Sequence, residues 1–330
     1  MDRLCKKNTY LNFVNEGDNM DIYLKNGVEP KIKTEKIKSR GNNLYANRYG
    51  YIYILPGVII LALITLAPFV YDLYLSLTDR YLASSEPAKF VGLMNYVNIF
   101  KDKSFWSSVL ITAIYVFLAV FIELVLGFII ALLFQIEFKG KKIVRSAILL
   151  PMVATPIAIA FMWRIMYNPN IGIINYLLGL INIRGIEWVS SQDTALISVI
   201  LVDIWQWTPF MFLILSSGIS ALPNDPFEAA IVDGASFTQI LRHVMFPLLK
   251  PIITIGLVFR LVDSFKTFDT IYVLTGGGPG TATETLNIQV FLNAFKYLKM
   301  GHACALSIIM IIIIIFVCNF VVKRGELNFE

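Results

Sequence analysis

Two sets of four side chains share one spacing and one mixture of chemistry. Asp203, Gln206, Trp207 and Phe210 fall at i, i+3, i+4 and i+7, and Arg260, Asp263, Ser264 and Thr267 repeat the interval. On a helix that interval is a single face. Both sets lie in strongly apolar segments, where ionisable side chains are costly and so mark candidate sites. Carboxylates, an amide and hydroxyls beside aromatic rings suit a sugar, whose hydroxyls need donors and acceptors while its C–H faces stack on rings. The competing reading is a polar seam that glues helices together, with Arg260–Asp263 or Asp263–Lys266 pairs neutralising charge in the bundle. Arg164, Glu123 and Asp269 lie nearer segment ends or off these faces and read as snorkelling or paired residues outside the site.

Either reading is the chemistry of holding rather than of bond breaking. No nucleophile–base or metal constellation is visible, so no catalytic residue is assigned and a membrane-embedded enzyme is disfavoured. The two histidines, His243 and His302, fall on opposite sides of the membrane and offer no metal cluster. Cys304 and Cys318 sit about 21 Å apart along one helix, beyond disulfide reach. There is no G-x-x-x-x-G-K-[ST] loop, so any ATP hydrolysis belongs to another chain. The Gly276–Gly277–Gly278 run lacks the lysine of a phosphate cradle and reads as a tight external turn.

The elements that must position these faces are membrane helices. The chain of 330 residues is 57% hydrophobic and 15% charged, too apolar for an ordinary soluble domain. Segments at 51–77, 107–134, 144–167, 194–220, 249–274 and 303–322 are each long enough for a hydrocarbon core of about 30 Å. The expectation is an all-α integral membrane protein with six spans and both termini on one side. Lys and Arg choose that side, 18 on the terminal side against 7 on the other, so the termini and the loop 221–248 are expected in the cytoplasm. Residues 1–48 form a polar extension, read as partly disordered and with no signal peptide, whose basic end could meet anionic lipid. Residues 49–325 form the membrane domain and 326–330 a short tail.

The loop 221–248 is more elaborate than a connector needs. Asp225 reads as an N-cap, Pro226 as the first helical residue and Glu228 as the capping-box partner. Gly234 ends that short helix, Ser236 to Gln239 repeats the capping-box spacing, and Pro247 is expected to stop the second helix. Phe227, Ile231, Phe237, Ile240 and Leu241 are apolar residues such an elbow must bury, against a partner protein or its own helix ends.

Glu228-Ala229-Ala230, three residues, Gly234, nine residues and an apolar ending at Pro247 resembles the motif of the membrane subunits of binding-protein-dependent ABC importers. Trp205-Gln206-Trp207-Thr208-Pro209-Phe210, Leu274-Thr275-Gly276-Gly277-Gly278-Pro279 and the Gly301-to-Ala305 run resemble the sugar-transporting branch of that family, over about residues 50 to 325. The resemblance implies a type I ABC importer permease fold in the cell membrane. It implies coupling to an ATPase through Glu228, Ala229, Ala230, Asp233, Gly234, Phe237 and Pro247. By ungapped alignment it carries sugar-contacting positions onto Asp203, Gln206, Trp207, Phe210, Arg260, Asp263, Ser264 and Thr267. Several residue types depart from the maltose-type subunit, so that specificity is not transferred. The implied partners are a second homologous permease, two ATP-binding subunits carrying ATP and Mg, an extracellular or periplasmic solute-binding protein, a sugar and the bilayer, with no nucleic acid. A glycerol phosphoester importer using Arg260 as anion partner, and an ion-gradient transporter using Asp203 and Asp263, are the alternatives.

Overall fold

The structure, a computed structural model, describes residues 43–325, with side chains from residue 53 onward. The tail at 326–330 and residues 1–42 of the expected extension lie outside the described residues. Helix α1 (Asn43–Ser76) already begins inside the stretch read as extension. The chain divides at Leu63: the first unit contributes the opening part of α1, and the second begins at Ile64.

In the second unit a short helix, α2 (Met94–Lys101), precedes the long α3 (Lys103–Leu133), whose N-cap Asp102 accepts the Ser104 N–H at 2.9 Å. Then follow α4 (Lys141–Val153), α5 (Pro156–Met166), α6 (Ile173–Leu180) and α7 (Gln192–Ser220). The elbow helices α8 (Asp225–Val232) and α9 (Phe237–Ile240) lead into α10 (Phe246–Phe265). Short α11 (Asp269–Leu274) and α12 (Leu286–Phe291) precede the closing α13 (Met300–Gly325). No strand occurs among the described residues beyond an isolated bridge between Thr78 and Phe90.

Five helices among the described residues are long and apolar enough to cross a membrane, and the pair α4–α5, which together has the length and hydropathy of a further span, is bent by 97°. The expected straight helix at 144–167 is therefore broken. Pro156 supplies the reason: its ring pushes the preceding residue out of the α region, and Thr155 and Ala154 are both extended (ψ 138° and 147°).

The expected span 249–274 is also divided. Helix α10 stops at Phe265, its last turn tightening as Lys266 N–H donates to the Asp263 carbonyl at 3.0 Å. The Asn287 side-chain amide, in the first turn of α12, then donates to the Lys266 carbonyl at 2.7 Å, a capping contact from more than twenty residues away. At its other end α10 is longer than expected. Pro247 does not terminate α9; a single π turn, Leu241–Met245, accommodates it, and helix is continuous from Phe237 to Phe265.

The core lies where α3, α7, α10 and the α11–α12 segment meet, with Tyr115, Val116, Val199, Met211, Phe265 and Ile288 all buried. Helix α3 packs along α7 so closely that a Cβ on Gly127 would stand 2.7 Å from Met211 Cβ and 2.8 Å from the Phe212 backbone nitrogen. The glycine is there because nothing larger fits between two backbones at that distance.

Candidate functional site

Inside the bundle, α3, α7 and α10 each bring charge to one point. Arg260 on α10 is 1% exposed and donates four hydrogen bonds. Its Nε reaches Glu123 Oε2 at 2.6 Å, and Nη2 reaches Glu123 Oε1 and Asp203 Oδ2, both at 2.8 Å. Nη1 reaches Asp263 Oδ2 at 2.7 Å. Four of the five guanidinium N–H groups are thus committed to three carboxylates. Such a fork pairs bidentately with one carboxylate and still reaches others, which lysine could not do. The Trp207 ring lies 5.1 Å from the guanidinium carbon, and Phe210 meets Trp207 edge to face at 6.3 Å.

Five of the eight sequence-selected residues, Asp203, Trp207, Phe210, Arg260 and Asp263, take part directly or sit against this cluster. Asp203 and Arg260 are buried in it, and Asp263, with 48% of its side chain exposed, forms its outer edge. Gln206 and Ser264 are buried nearby in sequence on the same helices, and their side-chain polar atoms make no hydrogen bond among the described residues. Thr267 departs from the expectation of one helical face: it lies beyond the end of α10, where its hydroxyl is 3.4 Å from the Asp263 carbonyl.

Glu123 is the residue sequence reasoning placed outside the site. It is fully buried and supplies both oxygens of the bidentate pair. The signal was present, since Glu123 is the one charged residue between Lys103 and Leu133. Spacing on α7 and α10 gave no reason to look to α3. Arg164, which the sequence suggested as a snorkelling or paired residue, donates from its guanidinium to the Val273 carbonyl at 3.0 Å.

The seam reading is realised in part, because the Arg260–Asp263 pair exists and the cluster ties three helices together. A cavity of about 130 Å³ opens beside its outer edge, lined by Trp207, Asp263, Lys266, Thr267 and Asp269 among others. A larger groove of about 920 Å³ lies elsewhere, along Leu126, Ile148, Pro151, Trp163 and Trp205. That groove carries no charged side chain and is not a place to hold hydroxyls by ionic hydrogen bonds.

The elbow is built much as its sequence suggested. Gly234 adopts φ +74°, and the two bonds Ala235 N–H to Ala230 carbonyl (2.9 Å) and Gly234 N–H to Ile231 carbonyl (3.0 Å) close a Schellman motif. Ser236 N–H donates to Gln239 Oε1 at 2.7 Å, the returning arm of the second capping box. The first box is not formed. Helix α8 starts one residue earlier than expected, with Asn224 as N-cap, its carbonyl taking both the Phe227 and Glu228 N–H groups, so the Glu228 side chain stays in solvent. Ala229, Asp233 and Gly234 are exposed with it. Ile231, Val232 and Phe237 stand 64%, 86% and 67% exposed around the bend.

The bent helix pair, the buried ion cluster and the exposed elbow all belong to an all-helical bundle whose long helices are apolar enough to cross a membrane. Residues 105–325 match the family described as the binding-protein-dependent transport system inner membrane component, and the chain belongs to it. A probable ABC transporter permease protein of Sinorhizobium fredii is 37% identical over 264 residues, covering 80% of this chain and 85% of that protein. The trehalose/maltose transport system permease protein MalF of Thermococcus litoralis is 34% identical over 282 residues, covering 86% and 93%. Among solved structures, a chain of a bacterial ABC transporter that imports the acidic polysaccharide alginate superposes with a TM-score of 0.74 at 20% identity, covering 87% of this chain and 98% of that one. That likeness establishes the fold.

Proposed function

We propose that this chain is one of two membrane subunits of an ATP-driven importer of a neutral sugar or oligosaccharide, and that the solute passes the outer edge of the Arg260 cluster. The observation that carries this is the state of Arg260. Buried and already bonded to three carboxylates, it has little to offer a phosphate. The half-exposed Asp263 carboxylate and the Trp207 indole instead offer an acceptor and a ring, the pair a hydroxylated C–H-faced solute uses. The glycerol phosphoester alternative needs Arg260 as a free cation and is disfavoured accordingly. The trehalose/maltose name of the Thermococcus relative points the same way.

A cavity of about 130 Å³ is below the roughly 300–1,000 Å³ usual for a ligand pocket. The chain would then supply one wall of the pathway and a homologous second permease the other. Two ATPase subunits binding ATP and Mg would hold the elbow through Glu228, Ala229, Ala230, Asp233, Gly234, Phe237 and Pro247, with the termini and elbow in the cytoplasm as the Lys and Arg bias favours. A binding protein would deliver the sugar on the other side.

The link between motor and pathway is one helix. From Phe237 to Arg260 the chain is helical, about 35 Å at 1.5 Å per residue. Displacing the elbow would displace the helix that carries Arg260 and Asp263, changing how they meet α3 and α7. Nucleotide would in this way bias the same equilibrium that substrate biases.

The test is uptake by the assembled transporter in proteoliposomes, offered a neutral disaccharide and a glycerol phosphodiester. ATP-dependent uptake of the disaccharide alone is expected. Preference for the phosphodiester would overturn the substrate assignment, and uptake that survives ATP depletion but collapses with an uncoupler would select an ion-driven carrier.

A further inference from the structure

Beyond the end of α10 that lies away from the elbow, four aromatic rings form one connected row. Phe268, just before α11, and Tyr272 within it are four residues apart; so are Phe291, the last residue of α12, and Phe295 in the turn that follows. That interval sets each pair on one face. The Phe268 and Tyr272 rings are stacked, with centroids 5.0 Å apart and planes 17° apart. Phe291 joins the two pairs, 4.7 Å from Phe268 and 5.0 Å from Tyr272, and Phe295 extends the row 5.1 Å further on.

The two ends of the row have different surroundings. Tyr272 and Phe295 stand 43% and 64% exposed. Phe268, at the other end, lines the same cavity as Trp207 and Asp263. The row therefore connects the surface to the outer edge of the Arg260 cluster, where Trp207 and Phe210 supply two more rings. Polar groups accompany it throughout: Lys266 and Asp269 line the cavity beside Phe268, and Lys296, next to Phe295, is exposed. Exposed apolar surface rimmed by polar side chains marks a contact site. An acyl chain or an apolar helix laid on these rings would desolvate the polar groups without pairing them. A sugar uses both, its C–H faces on the rings and its hydroxyls on the polar groups.

We propose that Phe268, Tyr272, Phe291 and Phe295 form a stacking track for a neutral pyranose sugar, which is passed along the rings from the surface into the cavity at Asp263. This rests on the sugar-importer reading above and adds to it the route by which the solute reaches the cluster. An oligosaccharide would lie on the track and in the cavity at once.

ATP-dependent uptake by the assembled transporter in proteoliposomes, with a neutral disaccharide presented on the binding protein at subsaturating concentration, tests this. Phe295→Ala and Tyr272→Ala are each expected to lower the rate about fivefold, within the range that one aromatic contact supplies. Phe295→Tyr, which keeps a ring, should stay near wild type, whereas Phe295→Leu, which keeps apolar bulk alone, should behave like alanine. Wild-type rates in both alanine variants, or in Phe295→Leu, would overturn the track while leaving the sugar reading standing. Absence of disaccharide uptake by the wild-type transporter would instead overturn that reading and the track with it. Replacing Phe295 by photoreactive p-benzoylphenylalanine, which retains an aromatic ring, gives a second measurement: radiolabelled disaccharide should be captured during turnover. Capture of lipid or of a neighbouring subunit in place of sugar would overturn the proposal, and this arm decides it should the alanine variants fail to assemble.

Discussion

Arg260 and Glu123 meet fork to fork across 137 residues of sequence, Nε to Oε2 at 2.6 Å and Nη2 to Oε1 at 2.8 Å, with neither side chain reachable by solvent. The pair binds α10 to α3, and Asp203 adds α7 through the same Nη2. A buried guanidinium is tolerable only because every edge facing the protein is answered. Removing one member leaves the others buried without a counter-charge. Arg260→Met is expected to destabilise the folded subunit by about 3–5 kcal/mol, and Glu123→Gln by less, since an amide still accepts one bond. Thermal unfolding of the purified protein measures both; melting curves equal to wild type would mean the cluster does not hold the helices.

Gly127 tests the packing of the same helices without touching charge. A valine there must displace Met211 or the backbone at Phe212, and overpacking of this kind costs about 1–3 kcal/mol. Gly127→Val should lower the melting temperature and Gly127→Ala should do so by less. Unchanged stability in both would show that α3 and α7 separate more easily than their contact implies.

Much of this architecture was readable because membrane helices announce themselves by length and hydropathy. Five of the six expected spans overlap a spanning helix, and the elbow's Gly234 and Ser236–Gln239 do what their types suggest. What escaped reading came from tertiary contacts or from neighbouring helices. The end of α10 at Phe265 depends on Asn287 reaching the Lys266 carbonyl from α12. Pro247 looked like a terminator, yet a π turn absorbed it. Pro156 did carry a legible break, but the apolar run across 144–167 outweighed it. Glu123 was overlooked because periodicity within one helix cannot say which residue of another helix faces it.

Gly234 is the position where the elbow's backbone demands glycine. A Cβ there would meet nothing within 4 Å, so a side chain costs conformational strain at φ +74° and no collision. For a non-glycine residue that strain is about 1–2 kcal/mol. Gly234→Val is therefore expected to leave the protein in the membrane while the bend relaxes, with ATP hydrolysis persisting and uptake falling. Parallel ATPase and uptake measurements on the assembled complex check this; undiminished uptake would remove the elbow from the coupling path.

Glu284 gives a pH dependence that lies outside the membrane helices. Burial pushes its carboxyl above the ordinary range, with Lys296 opposing the shift and Asp102 adding to it. A carboxyl that binds its proton more tightly when folded favours the fold fully below the ordinary glutamate value of about 4.3, and this contribution is lost as pH rises through the raised value. The wild-type melting temperature should therefore fall relative to Glu284→Gln across that window and run parallel to it elsewhere. Two curves that stay parallel throughout would show that Glu284 titrates alike in both states.

Trp207 and Asp263 separate the two readings of the polar faces. Both touch Arg260, so both contribute to the seam, and loss of stability alone would not distinguish binding from glue. Solute selectivity does. If Asp263 accepts hydrogen bonds from a sugar, Asp263→Asn should raise the half-saturating concentration about tenfold, the order expected for losing one charge-assisted bond, while basal ATPase activity of the assembled complex persists. Trp207→Phe should keep part of the stacking surface and Trp207→Ala should lose it, giving a graded series in affinity at constant expression. A purely structural seam would instead lower the amount of assembled transporter and leave the affinity of what assembles, for every sugar tried, at its wild-type value.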